Sequence, residues 1–398
     1  MSKSKPIKKI LAIKLADLGD TLAITPALRA LREAYPDATI EVLTTNGGAV
    51  LEDLPYLNRV IYFNKYLFDE PRQALKPNNL WVAFRFLLSL TLARYDTVIL
   101  FHHLTLRFGV LKYAALLLST LAMRRVGLDN GRGWFLNLKI ADRGFDAATE
   151  RAYWLEVVSM LGAKSDNTRP EIPLNEKHYR IASELRDSII SQEQTLLVAI
   201  HPGSGGYSLA RRWQPSGFAG VADALVERFG TKIALVGGLE EHELCEQVIK
   251  QMRFSDNAVN LAGKTGVREV TAFLGMCDLF IGNDAGLMHL AATVGAPLVG
   301  IFGPTNPQAW QPYGTQGHEL ESETKARRSG SIIVRAELEL PCRPCLYRGM
   351  ELGSRTGCAP RPCLSEIKVE QVVAAAQAQL EKHLQVSMKP DAQTSVYS

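Results

Sequence analysis

Residues 277–289 read Cys-Asp-Leu-Phe-Ile-Gly-Asn-Asp-Ala-Gly-Leu-Met-His, a sequence in which a strand gives way to a helix. Its apolar first part predicts a buried strand, and residues 287–294 predict a helix that ends before Pro297. The start of such a helix carries free backbone N–H groups and the positive end of the helix dipole. Asp284 and His289 add a carboxylate and an imidazole. The stretch predicts either a phosphate-binding turn or a plain strand–helix turn with a capping Asp and a buried His.

The composition indicates a globular protein with more than one domain. The chain has 398 residues, of which 46% are hydrophobic and 22% are charged, and its formal net charge is +4. This length exceeds one ordinary core, so two domains are expected. The small positive charge suits anionic ligands or a membrane surface and does not call for a nucleic-acid partner.

The sequence predicts a cytoplasmic protein. Charged residues interrupt the most apolar region, residues 81–123, so it is not predicted to span a membrane. The basic N-terminus is followed by Lys14, Asp17 and Asp20, which is not the pattern of a signal peptide. Residues 81–125 combine apolar and basic side chains. They could lie on the cytoplasmic face of the inner membrane, or they could form helices that pack on a sheet and expose their basic ends.

Strands and helices alternate along the chain. The predicted strands are residues 9–13, 39–43, 60–63 and 97–101 in the first half, and 196–200, 232–236, 280–281 and 298–302 in the second. Helices are predicted at residues 21–35 and 216–229, and residues 165–173 are predicted to be a linker. This alternation predicts parallel sheets with helices on both faces.

We therefore predict an α/β fold with two doubly wound domains whose strand ends face a central cleft. The predicted domains are residues 1–175 and 190–365. Residues 366–386 are predicted to form a helix that packs back on the N-terminal domain, and residues 387–398 a disordered tail.

Four blocks of sequence together resemble glycosyltransferase family 9, the heptosyltransferases. They are ILAIKLADLGD (10–20) with TPALRAL (25–31), HPGS (201–204) with RRW (211–213), GG (237–238) with EEHE (240–243), and GNDAG (282–286) with His289 and FGPT (302–305). The resemblance implies the GT-B architecture of two Rossmann-like domains, of which the first binds the acceptor and the second the donor. It implies transfer of a heptose or similar sugar, with inversion, from an ADP-heptose-like nucleotide sugar to a hydroxyl of a cell-envelope glycan or lipid-linked acceptor. It also implies that catalysis needs no metal.

The resemblance assigns the general base to Asp20. The plainer alternative is that Asp20 caps a helix beginning at Thr21. Asp17 departs from the family pattern, which more often has a small hydroxyl residue there. This second carboxylate would either raise the pKa of Asp20 or remain solvated.

The donor-binding residues implied by the resemblance lie in the second half. They are Gly203, Ser204, Arg211, Glu241, Thr265, Asp284, Ala285, Gly286 and His289. Arg211 stands in place of a family Lys that contacts phosphate, and Asp284 would bind the donor sugar. Glu241 would bind the ribose hydroxyls, with Glu240 and Glu243 as alternates. Arg212 is predicted to be a surface charge, and Trp213 to be a packing residue.

Some features resemble other motifs, and some leave alternatives open. Residues 263–265 resemble the end of a P-loop, but Ala258 stands where its first Gly belongs and no helix obviously begins there, so a P-loop is rejected. Residues 203–206 resemble a dinucleotide fingerprint, but Ser208 replaces the third Gly, which disfavours an oxidoreductase. His102 and His103 are either part of the acceptor face or buried. A non-catalytic nucleotide-sugar binding protein remains the alternative to an enzyme.

Four cysteines cluster near the C-terminus: Cys342, Cys345, Cys358 and Cys363. Their spacing is loosely that of a structural zinc site, and a redox pair or free thiols are the alternatives. Cys245 and Cys277 are predicted to be ordinary buried residues.

Overall fold

The computed structural model describes residues 6–64, 71–192, 194–314 and 330–387. The chain divides into two compact units, Met1–Pro173 with Gly349–Leu352, and Leu174–Arg348 with Gly353–Ser398. The predicted disordered tail, apart from Ser387, lies outside the described residues. The predicted linker forms the end of the first unit.

The first unit contains a parallel six-stranded sheet. Its strands are β1 (Lys9–Lys14), β2 (Thr39–Thr44), β3 (Arg59–Tyr62), β4 (Thr97–Leu100), β5 (Arg124–Asp129) and β6 (Leu138–Ala141). Their order in the sheet is β3-β2-β1-β4-β5-β6, which is the Rossmann order. The inner strands β1 and β4 are almost wholly buried, because helices cover both faces of such a sheet.

Among the described residues of this unit, six helices accompany the sheet. They are α1 (Leu18–Leu22), α2 (Thr25–Ala34), α3 (Pro71–Ala74), α4 (Pro77–Leu92), α5 (Arg107–Ser119) and α6 (Glu150–Ser159). The single helix predicted over residues 21–35 is wrong, since the chain forms α1 and α2 there. Pro26 lies in the first turn of α2. Proline has no backbone N–H to continue a preceding helix, so it favours a new start at this position.

The second unit repeats the same topology. Its sheet strands are β7 (Leu197–His201), β8 (Lys232–Leu235), β9 (Ala258–Asn260), β10 (Leu279–Asn283), β11 (Leu298–Ile301) and β12 (Ser331–Val334). They pair in the order β12-β11-β10-β7-β8-β9. A separate two-stranded sheet joins β13 (Leu346–Arg348) to β14 (Glu351–Gly353). The predicted α/β class with two doubly wound parallel sheets is confirmed.

The helices of the second unit enclose its sheet. They are α7 (Glu176–Ile189), α8 (Pro215–Phe229), α9 (His242–Gln251), α10 (Val267–Leu274), α11 (Gly286–Thr293), α12 (Pro307–Trp310), α13 (Pro362–Ser365) and α14 (Val369–Ser387). Val372, Ala376 and Leu380 of α14 are buried in the core that Val198 and Leu225 also help to form. This i, i+4, i+8 stripe fills the second core, which corrects the prediction that the last helix packs on the N-terminal domain.

Within the described ranges, every helix is too short or too polar to cross a lipid bilayer.

Candidate functional site

Asp20 lies in α1, directly after the carboxyl end of β1. Because α1 begins at Leu18, Asp20 sits inside its first turn and does not cap a helix at Thr21, as the plainer alternative required. The Asp20 side chain is 32% exposed, and its Oδ1 lies 3.6 Å from Lys14 Nζ. Asp17 is exposed and occupies the N-cap position without a side-chain capping bond. A half-exposed carboxylate at a strand end is accessible to a substrate hydroxyl.

Lys14 connects Asp20 to a group of buried ionisable side chains. We call this group the Lys14 cluster, and its four members are Lys14, His103, Asp142 and Glu150. Lys14 Nζ is 3.6 Å from Glu150 Oε2. His103 Nε2 is 2.9 Å from Glu150 Oε1, and His103 Nδ1 is 3.0 Å from both Asp142 carboxylate oxygens. All four side chains are at most 5% exposed.

The two carboxylates of the cluster keep His103 protonated. Burial alone would lower the pKa of His103, but Glu150 and Asp142 raise it to about 9. Burial would likewise raise the pKa of Glu150, yet His103 and Lys14 lower it below its ordinary value. Within the cluster, Glu150 thus contacts two basic side chains, Lys14 and His103. Of the two roles predicted for His103, on the acceptor face or buried, the structure has the buried one, among these ionisable side chains.

In the second unit, the loop after β7 is held by Glu241. Its Oε1 accepts hydrogen bonds from the backbone N–H groups of Ser204 and Gly205, both at 3.0 Å. Its Oε2 lies 2.9 Å from His201 Nε2 and accepts from the Gly238 N–H at 3.3 Å. The carboxylate is 3% exposed. Both oxygens thus engage protein donors, and Glu241 fixes this loop; its predicted contact with ribose hydroxyls remains a prediction.

Glu241 also explains the glycine at position 203. A Cβ added at Gly203 would overlap the Glu241 carboxylate, so only glycine allows this approach. Glu240 and Glu243, the alternates for the ribose, are exposed.

The Glu241 contacts predict a pH-dependent contribution to stability. Burial alone would raise the pKa of Glu241, but His201 and the backbone N–H groups of Gly205 and Gly238 lower it from 4.5 to about 2. A depressed carboxyl pKa stabilises the fold above the unfolded pKa, and the contribution is lost as the pH falls toward 2. We expect Glu241→Gln to lower the free energy of unfolding at pH 7 by about 3 kcal/mol. Urea denaturation of the two proteins measures this difference in the free energy of unfolding.

The exposed neighbour provides the control for that measurement. Glu240→Gln should leave the free energy of unfolding at pH 7 within about 0.5 kcal/mol of the wild type. The difference in the free energy of unfolding between wild type and Glu241→Gln should become smaller as the pH is lowered from 5 to 3. A difference that is constant over this range would contradict the assignment.

Arg211 connects this loop to the turn after β10. Its Nη1 donates to the Asp284 carbonyl oxygen and its Nη2 to the Ser204 carbonyl oxygen, both at 2.9 Å. Nη1 also lies 3.8 Å from Asp284 Oδ2. The guanidinium is 13% exposed. A planar cation fixed on two backbone carbonyls is prepositioned for an anionic ligand.

The turn between β10 and α11 and the first residues of α11 contain four predicted donor residues: Asp284, Ala285, Gly286 and His289. Ala285 is the N-cap of α11, and Gly286 is its first residue. The first backbone N–H groups of a helix have no acceptor within it. Burial raises the pKa of Asp284, and the Arg211 guanidinium and the Thr305 hydroxyl oppose that rise. His289 Nε2 lies 3.9 Å from Asp284 Oδ1.

Three further predictions concern residues near this turn. Trp213 is buried against Phe218, which confirms its packing role. Arg212 is not a free surface charge: its Nε donates to Ser204 Oγ at 3.2 Å, and its Nη2 lies 3.4 Å from Glu241 Oε1. The chain leaves a 3-10 turn in extended conformation at Arg212, which directs both arginines at the loop. Thr265 is half-buried in the turn before α10.

The four clustered cysteines form no disulfide in this structure, and their role as a zinc site, a redox pair or free thiols stays a prediction. Cys342 and Cys358 are exposed, Cys345 is half-buried and Cys363 is buried. In the described part of the chain, no group of three His, Cys, Asp or Glu side chains is arranged so that it could hold a metal ion. Burial raises the pKa of Cys363 to about 11. Cys245 and Cys277 are buried, as predicted.

Comparison with known proteins identifies the family. The family model described as Glycosyltransferase family 9 (heptosyltransferase) matches residues 84–331, more than half of the chain. The chain belongs to glycosyltransferase family 9. The matched residues include Arg211, Glu241 and Asp284 of the second unit and three members of the Lys14 cluster, whereas Asp20 and Lys14 precede them.

Parts of the chain resemble heptosyltransferases. Lipopolysaccharide heptosyltransferase 3 of Escherichia coli is 27% identical over 307 residues, which cover 74% of this chain and 83% of that protein. Lipooligosaccharide heptosyltransferase 2 of Campylobacter jejuni is 27% identical over 194 residues, 48% of this chain and 54% of that protein. The chain therefore spans about half the length of the Campylobacter relative that it matches.

Solved structures of family 9 share the whole fold. A family 9 glycosyl transferase from Veillonella parvula superposes with a TM-score of 0.70 at 22% identity, covering 94% of this chain and 97% of that one. The Escherichia coli ADP-heptose lipopolysaccharide heptosyltransferase II gives a TM-score of 0.67 at 20% identity, covering 94% and 99%. At such identities the likeness establishes the fold, which is the predicted GT-B class.

Proposed function

We propose that the protein is an inverting heptosyltransferase of lipopolysaccharide biosynthesis. It moves a heptose or similar sugar from an ADP-heptose-like donor to a hydroxyl of a cell-envelope glycan or glycolipid. The observation that carries the proposal is the seat formed by Arg211 and the start of α11, where the guanidinium is fixed on the carbonyl of the buried Asp284, two residues before α11 begins. This arrangement suits a sugar diphosphate.

In the proposed reaction, the acceptor hydroxyl oxygen attacks the anomeric carbon of the donor sugar. A bond forms between these two atoms as the bond from the anomeric carbon to the diphosphate oxygen breaks on the opposite face. The hydroxyl proton goes to the Asp20 carboxylate, and the nucleoside diphosphate leaves with the bonding electrons. One such displacement inverts the configuration, and it needs one base.

The leaving diphosphate gains negative charge, which the second unit is arranged to stabilise. Arg211 supplies a permanent cation, and Ala285 and Gly286 begin α11, whose free N–H groups and positive dipole end would face the diphosphate. Asp284 would accept hydrogen bonds from the donor sugar hydroxyls. We propose that these groups stabilise the diphosphate without a bound metal.

A nucleotide panel tests the proposed function. Thermal unfolding is followed in the presence of EDTA with ADP, ADP-heptose, UDP, GDP and UDP-glucose. We expect ADP and ADP-heptose to raise Tm, because bound ligand stabilises the folded state by mass action. Release of ADP on addition of a heptose-containing core glycan then separates an enzyme from a non-catalytic binder. If no nucleotide raises Tm, the donor-site assignment is wrong.

A peripheral position on the cytoplasmic face of the membrane completes the proposal. Helix α4 exposes several large apolar side chains: Leu80, Trp81, Val82, Phe84, Leu88 and Leu92. Trp81 is 60% and Phe84 55% exposed, and their rings stack 5.7 Å apart. Residues 71–128 contain eight Lys or Arg residues and one acidic residue, Asp96. Exposed aromatic side chains in a strongly basic region suit an anionic lipid surface, where a glycolipid acceptor would reside.

Flotation with liposomes checks the membrane proposal. We expect the wild type to float with phosphatidylglycerol-containing vesicles, and Trp81→Ser/Phe84→Ser to lose at least about tenfold in bound fraction. Both side chains are exposed, so the double variant should fold. Leu239→Ser is the matched control, because Leu239 is 75% exposed but lies in the second unit. Equal flotation of both variants, or none by the wild type, would contradict this surface.

A further inference from the structure

The Lys14 cluster has features that packing alone does not require. Its four side chains come from the end of β1, the segment after β4, the segment after β6 and the start of α6. Burying ions costs several kcal/mol each, and well-packed apolar side chains often stabilise a fold equally well. The cluster reaches the surface at Asp20, through Lys14. Because this buried cluster contacts a half-exposed carboxylate, we infer that it acts on that carboxylate.

The geometry divides the Lys14 charge between two carboxylates. Lys14 Nζ is 3.6 Å from Asp20 Oδ1 and 3.6 Å from Glu150 Oε2. Paired with Asp20 alone, the ammonium would strongly favour the ionised carboxylate and so weaken it as a base. Glu150 offsets much of that attraction. His103, held by Asp142, in turn limits how much negative charge Glu150 presents to Lys14.

Aromatic side chains exclude water from this arrangement. Lys14 Nζ lies 4.5 Å from the centre of the Trp154 ring. The His103 ring lies 4.6 Å from that of Phe145 and 5.2 Å from that of Tyr153. In such a low-dielectric setting each charge acts on its neighbours more strongly than it would in water.

We propose that Lys14, Glu150, His103 and Asp142 are positioning residues that set the orientation and the basicity of Asp20. The inference deepens the proposed function and rests on it, since Asp20 is the base there. Lys14 orients the carboxylate at the strand end, and Glu150 keeps it basic enough to accept the acceptor proton. The remaining ionisable group on this turn is Asp17, which is exposed; residues 46–50, which pack on α1, carry none.

The titration of Asp20 tests the proposal without any substrate. Protein labelled with ¹³C at the Asp carboxyl carbons is titrated by NMR, and the resonance missing in Asp20→Asn identifies Asp20. We expect Lys14→Met to raise the Asp20 pKa by about 1 unit and Glu150→Gln to lower it by a similar amount. His103→Gln should raise it by less, because the uncompensated Glu150 then attracts Lys14 away from Asp20.

The Asp20 pKa should shift in opposite directions in Lys14→Met and Glu150→Gln, and a merely structural role would not produce this result. Loss of folding would instead collapse the chemical-shift dispersion of all Asp carboxyl resonances, and thermal unfolding reports it directly. Lys9→Met is the matched control: Lys9 begins the same strand and lies 3.8 Å from Glu41 Oε1. It should leave the Asp20 titration unchanged. If Lys14→Met and Glu150→Gln leave the Asp20 pKa unchanged, or shift it in the same direction, the inference is overturned.

The pH dependence of turnover provides a second readout. The acidic limb of kcat should move up in Lys14→Met and down in Glu150→Gln, following the Asp20 carboxyl. Failure of the proposed function looks different: Asp20→Asn would then keep its turnover while the NMR shifts persist. Loss of turnover in Asp20→Asn with unmoved titrations would instead overturn the positioning role alone.

Discussion

The Asp20→Asn enzyme should transfer sugar about 10²–10⁴-fold more slowly than the wild type, because a general base typically contributes that factor. Asparagine keeps the size of the side chain and its place in α1 but cannot take the acceptor proton. Asp20 is 32% exposed, so the substitution should cost little stability. The rate is measured as ADP release at saturating donor and acceptor.

Two controls make the Asp20 result specific. Asp17→Asn alters the neighbouring exposed carboxylate and should change turnover less than about threefold, since Asp17 only occupies the N-cap backbone position of α1. Binding of ADP should be unchanged in both variants, because the proposed donor seat lies in the second unit. Near-normal turnover in Asp20→Asn together with its loss in Asp17→Asn would mean that the base is Asp17.

The fold could be predicted largely because its inner strands have a simple sequence signature. A strand covered on both faces is a short apolar run, as in β1, β7 and β11, and each was placed within a residue or two. Strands β5 and β6, the last two strands of the first sheet, were not predicted because Arg124, Arg125 and Lys139 interrupt their short apolar runs. Strand β9 has only three residues, too few for any periodic pattern.

The candidate site could be predicted only where its residues lie next to recognisable turns. The resemblance brought out Ser204, Arg211 and Asp284, and the structure joins all three through the Arg211 guanidinium. The Lys14 cluster carries no such signal, because Lys14 and Glu150 are 136 positions apart (150 − 14) and meet only through the topology of the sheet. Sequence spacing also could not reveal that Arg212 turns back onto Ser204 and Glu241.

Loss of the Arg211 guanidinium is expected to have the second large effect. Arg211→Ala removes the fixed cation beside the start of α11, and we expect turnover to fall about 10²–10³-fold, the usual result of deleting one group that stabilises a developing anion. The carbonyls of Ser204 and Asp284 lose their donors as well, so Tm should also fall. Turnover is measured as ADP release, and donor affinity by titration with ADP.

A conservative variant distinguishes the effect of the Arg211 charge from the effect of its two hydrogen bonds to backbone carbonyls. Arg211→Lys keeps the cation, as in the family pattern, but cannot donate to both carbonyls at once. We expect it to recover most of the loss and to remain about tenfold below the wild type. Arg228→Ala removes an exposed arginine of the same unit and should leave turnover unchanged. If Arg211→Lys is as slow as Arg211→Ala, the guanidinium acts by holding the loop, and its charge does not stabilise the leaving diphosphate.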